Sequence, residues 1–439
     1  MTQAIPPADP ATPWLLRWQG LLAGGTGPLA SRLSLVAGLV LCALMAGLPL
    51  MTRGGLSLLI TAAGLLWVLW ALRTPPGRIG TISGWLLVML GVMVLATGFS
   101  PVPVAAAKGL AKLVSYLGVY ALMRQLLAAA PPWWDRIVAA LLAGELATSV
   151  IAIRQLYGDT SALARWADPN SVADGTIRVY GPLENPNLLA GYLIPILPLA
   201  VVALLRWRRW PQRLYAAAAL VLGAAALLLS YSRGGWLGMV AALGAVGLLL
   251  LLRAIRHWPA LWRRLVPLLV LLLGVAVLVV AVTQIEALQV RVMSLFVGRQ
   301  DSSNNFRINV WLAALRMVQD RPWLGIGPGN TAFNLIYPLY QQPKFNALSA
   351  YSVPLELLVE GGIPALLAGL GLLTASLRQG LAQLRGESAW ALPALGAVAA
   401  IAGLCAQGVT DTIFFRPEVQ LTGWFCLASL AVSRMADAP

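Results

Sequence analysis

The chain has 439 residues, of which 59% are hydrophobic and only 11% charged, with a mean hydropathy of +0.78. Average globular chains carry about a quarter charged residues, so a soluble enzyme, a disulfide scaffold and a disordered tail are excluded, and the repeated apolar stretches place the chain in a bilayer. The net charge of +15 is not a nucleic-acid footprint, because most Lys and Arg fall in short loops between apolar segments, where they set membrane orientation.

Residues 1–30 contain Pro6, Pro7, Pro10 and Pro13 and no continuous apolar core, unlike a cleaved signal peptide, and read as a flexible cytoplasmic tail. A spanning helix needs about 20 mostly apolar residues, and that criterion predicts twelve. Five lie within 31–153: Leu33–Met51, Leu56–Leu72, Ile82–Thr97, Ala105–Leu127 and Ile137–Ile153. After a periplasmic loop over 154–184, four occupy 185–283: Asn187–Leu205, Leu214–Ser230, Gly235–Leu252 and Leu265–Thr283. A large periplasmic loop over 284–352 precedes the last three, within 353–433: Val353–Leu377, Ala389–Gln407 and Val419–Ser433. The expected fold is an all-α integral membrane protein with about twelve transmembrane helices and short helices in the loop between the ninth and tenth. Cys42, Cys405 and Cys426 lie inside apolar segments, so no disulfide is expected.

The connections Arg206 to Arg213 and Arg253 to Arg264 are strongly basic and therefore read as cytoplasmic, which puts both termini inside a cell inner membrane. The other inner loops then hold Arg73, Arg78, Arg124, Arg136, Arg378 and Arg385, and the short outer ones Arg53, Arg233 and Arg416. Trp14, Trp18, Trp67, Trp70, Trp133, Trp134, Trp207, Trp210, Trp258 and Trp262 cluster at segment boundaries, as an aromatic belt does.

The two long outer loops are where function is expected. The first carries Arg154, Arg165 and Arg178, and the second Arg291, Arg299, Arg307, Arg316, Arg321 and Lys344. Singly each reads as solvated surface; together they suggest an anionic ligand on the outer face. Ser302 or Ser303 is positioned to cap a surface helix with Phe306, Val310 and Met317 on an apolar stripe beside Arg307, ending before Pro322. GlyIleGlyProGlyAsn (Gly325 to Asn330) predicts a turn whose backbone amides either cradle a phosphate or carboxylate or simply redirect the chain.

Lys108, Lys112, Tyr116 and Tyr120 are four apart and share one face of the fourth segment. An ammonium in hydrocarbon costs about 2.5 to 3.5 kcal/mol, so that face must line protein or water. Glu145, near the middle of the fifth segment, reads either as a structural ion pair, with Lys112 as a candidate partner, or as part of proton or ion coupling. Arg233, in SerArgGlyGlyTrp at the outer turn between the seventh and eighth segments, is placed to hold a phosphate or carboxylate with two hydrogen bonds.

TyrSerArgGlyGlyTrpLeuGly (Tyr231 to Gly238), GlyProLeuGluAsnProAsnLeuLeuAlaGlyTyr (Gly181 to Tyr192), Arg307 upstream of ArgProTrpLeuGlyIleGlyProGlyAsn (Arg321 to Asn330), and LeuGluLeuLeuValGluGlyGly (Leu355 to Gly362) occur in one order. Over 178–380 this order resembles the O-antigen ligase and polymerase (Wzy_C-type) superfamily. AlaLeuSerAlaTyrSer (Ala347 to Ser352) looks closest to the cyanobacterial inorganic-carbon-transporter-B (IctB) branch, whose members are labelled bicarbonate transporters. The resemblance implies an inverting, metal-independent glycosyl transfer on the outer face of the inner membrane, from an undecaprenyl-diphosphate glycan to an acceptor hydroxyl, in cell-surface polysaccharide assembly. By motif position it implies Arg178, Arg233 and Arg307 as the cations that hold the leaving diphosphate, with Lys108 and Lys112 as further substrate-binding candidates.

The family's base is a His within a HisAsn pair just before the tenth helix, but Tyr351 and Ser352 stand there, and the sole histidine, His257, falls in a predicted cytoplasmic loop. Tyr351 is a poor base unless its reference pKa of about 10 is strongly perturbed. Glu356 and Glu360, one and two turns further on, are the alternatives, and they read equally as capping groups and partners of loop arginines. The expected partners are the undecaprenyl-diphosphate-linked glycan or, for an IctB-type transporter, bicarbonate, together with membrane lipids; no cofactor, metal or nucleic acid is expected.

Overall fold

The computed structural model of the protein describes residues 28–73, 79–158, 178–284, 289, 293, 298–386 and 388–433. The expected N-terminal tail up to residue 27, with Trp14 and Trp18, and Arg78, Arg165 and Arg291 lie outside the described residues. Each expected apolar segment is a helix. The first nine are α1 (Pro28–Gly47), α2 (Arg53–Ala71), α3 (Thr81–Gly98), α4 (Pro103–Ala129), α5 (Trp133–Arg154), α6 (Pro186–Arg206), α7 (Trp210–Leu229), α8 (Arg233–Ala254) and α9 (Ala260–Gln284). Two helices come from the long loop, α10 (Ser302–Asp320) and α11 (Asn330–Ile336), and three follow it, α12 (Val353–Leu384), α13 (Ala391–Gly408) and α14 (Pro417–Ser433). Among the described residues nine helices, namely α2, α3, α5 to α9, α12 and α13, are long and apolar enough to cross a membrane, and there is no strand. The chain is an all-α integral membrane protein.

Local chemistry explains several helix starts. Asn185 Oδ1 accepts from the backbone N–H groups of Asn187 and Leu188, with Pro186 at the first helical position, so α6 begins where two otherwise orphaned donors are satisfied. Ser232 Oγ accepts from Gly235 N at the start of α8. The α10 cap is Asp301 rather than Ser302 or Ser303: its extended backbone lets Oδ1 accept from Asn304 N at 3.0 Å, while Ser303 Oγ instead accepts from Arg307.

Helix α6 runs through the middle of the bundle and is buried on all sides from Leu188 to Ala200, which its uniformly apolar sequence permits. Helix α13 is buried almost as fully and approaches α8 at Gly403 and Gly238, where a Cβ on Gly403 would lie 2.8 Å from the Gly238 carbonyl oxygen. Small residues at such crossings are how helices pack where lipid removes the hydrophobic drive. Helix α9 is apolar all round and buries none of its described side chains, so it lies against lipid on the outside of the bundle. The tryptophans divide: Trp210, Trp258 and Trp262 are exposed at helix ends as a belt requires, but Trp70, Trp133, Trp134 and Trp207 are packed inside, because their indoles fill spaces between helices.

Helices α6, α8, α12 and α14 begin, and α5, α7 and α13 end, at the same end of the bundle. There the long loop forms a second apolar core: Val310, Ala313, Ala314 and Met317 of α10 pack with Ile326, Phe333, Tyr337 and Val359. Helix α10 therefore packs one face on this core and leaves Leu312 and Leu315 exposed on the other.

Candidate functional site

The three arginines singled out by motif meet at this end of the bundle. Arg178 donates from Nε to the Ser230 carbonyl at 3.0 Å and from Nη2 to Asn187 Oδ1 at 2.9 Å, joining the end of α7 to the start of α6. Arg233, the first residue of α8, places Nη2 2.9 Å from Asp301 Oδ1. Arg307, one turn into α10, donates from Nε to the Thr410 carbonyl at 3.0 Å and from Nη1 to Ser303 Oγ at 2.9 Å. Thr410 follows α13, and Gln407 at the end of that helix donates to the Asn187 carbonyl at 3.3 Å, which closes the ring of segments.

Two carboxylates sit among the guanidiniums. Asp301 pairs with Arg233, and Asp411 interacts electrostatically with Arg307 and Arg178. Among the described residues, these three cations against two anions leave one surplus positive charge in a largely buried cluster, where electrostatic forces are screened least. Burial lowers the Arg307 pKa; Asp411 opposes that shift and Arg233 adds to it. The guanidinium nevertheless stays charged. Burial raises the Asp411 pKa above its usual 3.8, and Arg307, the Thr412 and Ile413 backbone N–H groups and Arg178 pull it partly back. Sequence reading missed Asp301, Asp411 and Asn187. The clues were an acid directly before a Ser-rich helix start, an acid in the short outer loop after α13, and the second Asn of GluAsnProAsn.

Tyr351 borders the cluster in the left-handed backbone region, with φ of 51°. Its ring meets Phe306 edge-on at 5.3 Å between centroids, and its carbonyl accepts from Trp311 Nε1 at 3.2 Å. Burial raises its phenol pKa above 10, and Asp411 raises it further, so the group is protonated at neutral pH. Ser349, two residues before, bonds Thr412 at 2.5 Å and ties this loop to the one carrying Asp411.

Glu356 and Glu360 are buried and hold backbone. Glu356 Oε2 accepts from Ala350 N at 2.6 Å, and Glu360 Oε1 accepts from Gly329 N at 2.7 Å. The carboxylate that the glycine turn cradles is thus the protein's own. Three more of its amides are engaged: Gly325 N donates to the Arg321 carbonyl, Ile326 N to the Val359 carbonyl and Gly327 N to the Glu360 carbonyl, at 2.9 to 3.2 Å. Those four amides are engaged within the protein, which favours the reading of a turn that redirects the chain over that of a phosphate cradle. The turn instead seats on a break in α12, where Gly362, at φ of 69°, interrupts the helix and frees those carbonyls. A side chain at Gly362 would collide with the Trp323 backbone, and one at Gly329 with Gly109 of α4.

The lysine stripe does not join the arginines directly. Lys112 Nζ donates to the Phe415 carbonyl at 3.1 Å and lies 5.5 Å from the Tyr116 ring, next to the 409–416 loop; Lys108 is exposed. The Glu145–Lys112 pair is not formed. Glu145 is fully buried, one oxygen accepts from Ser149 Oγ at 2.7 Å, and the other has no hydrogen-bond partner among the described residues. Tyr120, expected on the same stripe, bonds Ser83 of α3 at 2.9 Å and so belongs to helix packing.

No curated protein matches the chain. Residues 218–370 match the profile of the O-antigen ligase family, a stretch that includes Arg233, Asp301, Arg307, the glycine turn, Tyr351, Glu356 and Glu360, and leaves Arg178 and Asp411 outside. That match supports kinship with the O-antigen ligase superfamily and a membrane glycan-handling role in polysaccharide assembly.

Proposed function

We propose that the arginine cluster holds the diphosphate of a lipid-linked glycan, with undecaprenyl diphosphate as the carrier, and that the chain transfers the glycan to an acceptor hydroxyl. In this reading the bundle crosses the inner membrane twelve times with the cluster outside. The opposite end carries Arg136, Arg206, Arg208, Arg253, Arg378 and Arg385 near helix ends and in the connections between them, which favours that end as the cytoplasmic one. As the bond between the anomeric carbon and the diphosphate oxygen breaks, negative charge grows on the leaving group, and guanidiniums already held in place stabilise it without reorganising. The acceptor oxygen forms the new bond and its proton goes to a carboxylate. Asp411 fits that role best, because burial raises its pKa above the usual 3.8, which makes it a stronger proton acceptor, while it stays beside Arg307. Tyr351, protonated, donates a hydrogen bond to the sugar rather than accepting a proton.

The observation that carries this reading is the convergence of Arg178, Arg233 and Arg307, from three separate segments, around Asp301 and Asp411. A second reading, inorganic-carbon transport of the IctB type, draws on the break in α12 and on buried Glu145, since interrupted helices and intramembrane acids mark transport paths. It ranks second because carbonyls freed by the break are taken by the glycine turn, which leaves less for an ion to coordinate. Cells carrying Arg233→Ala or Arg307→Ala, assayed for both surface glycan and bicarbonate uptake, separate the two. Lost glycan with normal uptake supports glycan transfer; intact glycan with lost uptake overturns it.

A further inference from the structure

At the end of the bundle opposite the arginine cluster, about 30 Å away along the 21 residues of α6, a cavity of about 570 Å³ opens between the start of α5, the end of α6 and the start of α7. Arg136, Arg206, Arg208 and Gln212 line its polar side, and Asp135 is the only carboxylate among the lining residues. Asp135 is fully engaged: Arg206 Nε and Nη2 reach its two oxygens at 2.9 and 3.3 Å, and Trp207 Nε1 donates to it at 3.0 Å. Arg206 also donates to the Ala389 carbonyl at 3.0 Å. That ion pair makes an electrically neutral wall, so among the described lining residues the three arginines less one aspartate leave two positive charges, on Arg136 and Arg208, to face a ligand.

The floor is equally well held. Trp207 and Tyr215 stack with centroids 6.2 Å apart at 16°, and Tyr215 OH donates to the Ala139 carbonyl at 2.7 Å. Arg136 lies 4.5 Å from the Trp133 ring, which steers its guanidinium. A volume of this size suits a small organic ligand, for which sites of about 300 to 1,000 Å³ are usual. Arginine and tryptophan together at the ends of membrane helices stand at the level of lipid headgroups.

We propose that this cavity binds a phosphodiester-bearing anion, held between Arg136 and Arg208 over the Trp207–Tyr215 floor. Its place at the helix ends favours the headgroup of an anionic membrane lipid as the source. The site is independent of the arginine cluster and of whatever reaction occurs there.

The test uses the full chain in neutral detergent and titrates short-chain phosphatidylglycerol while following tryptophan fluorescence. The unaltered protein is compared with the double variant Arg136→Gln, Arg208→Gln and with the equally discharged control Arg263→Gln, Arg264→Gln at the start of α9. The expected result is that the control binds as the unaltered protein does and the cavity variant binds roughly tenfold to thirtyfold more weakly. Arg208→Gln alone, in the loop between α6 and α7, shows about half of that effect on a logarithmic scale and covers the case in which the double variant fails to fold. Competition by glycerophosphoglycerol, the deacylated phosphodiester, assigns the ligand to soluble phosphodiesters; its failure to compete assigns it to the lipid, and either supports a phosphodiester site. Equal affinity in the cavity variant and the unaltered protein, or equal weakening in both double variants, overturns the proposal.

Discussion

Arg233, the first residue of α8, and Asp301, the cap of α10, form an ion pair with Nη2 2.9 Å from Oδ1, at side-chain exposures of 11% and 1%. The pair pins the helix contributed by the long loop to the membrane bundle and holds a guanidinium at the cluster. Breaking such a pair costs more than forming it contributes, because the remaining partner is left as an uncompensated buried charge.

Asp301→Ala should therefore destabilise the protein by about 3 to 5 kcal/mol, through loss of both the ion pair and the α10 cap. Asp301→Asn keeps the cap, and should recover about 1 kcal/mol of that loss. Thermal unfolding of the two variants in detergent checks the order; equal loss in both would remove the capping role.

Glu360 separates a structural from a chemical role. Glu360→Gln keeps an acceptor for Gly329 N and should retain most of the turnover and stability. Glu360→Ala leaves that amide unsatisfied, at a cost of about 1 to 3 kcal/mol, and should loosen the glycine turn. Turnover abolished by the Gln variant, with its stability unchanged, would instead make Glu360 a proton-transfer group.

Tyr351→Phe should change turnover at neutral pH by no more than about threefold, since a phenol held protonated by burial serves as a donor and not as a base. Loss of a general base costs about 10² to 10⁴ in rate. A drop of that size in the Phe variant would return Tyr351 to the role of base.

Asp411 gives a pH dependence. Its folded pKa is raised above the unfolded value near 3.8 by burial, so its titration favours the folded state fully below 3.8 and that contribution is lost as pH rises through the folded pKa. The difference in Tm between the unaltered protein and Asp411→Asn should shift in favour of the unaltered protein as pH falls through that window. A difference that does not vary with pH would show that the surrounding arginines cancel the effect of burial.

The helices were legible because a bilayer imposes one requirement, about 20 apolar residues without a break, and each segment from Leu33 to Ser433 meets or approaches it on its own. The arginines were legible by motif, but their partners were not. Asp301 and Asp411 are 110 positions apart in the chain and meet the same cluster only through tertiary packing. The glycine turn misled for the same reason. Its amides look free in a sequence, but two of them are occupied by carbonyls released by the break at Gly362 and a third by the Glu360 carboxylate, over thirty residues later. Glu145 was readable as buried but not as separate from Lys112, because a face of α4 four residues wide does not reveal which neighbour it meets.

The most direct measurement is release of polyprenyl diphosphate when the purified protein is incubated with a polyprenyl-diphosphate glycan and an acceptor, in the unaltered chain and in Arg307→Ala. Glycan transfer at the arginine cluster entails release by the unaltered protein and a fall of about 10² to 10³ in the variant, the loss expected when a donor to the developing negative charge is removed, with an unchanged gel-filtration profile. Release that is equally fast in both, or a folded unaltered protein that binds the glycan but never frees the carrier, would contradict it.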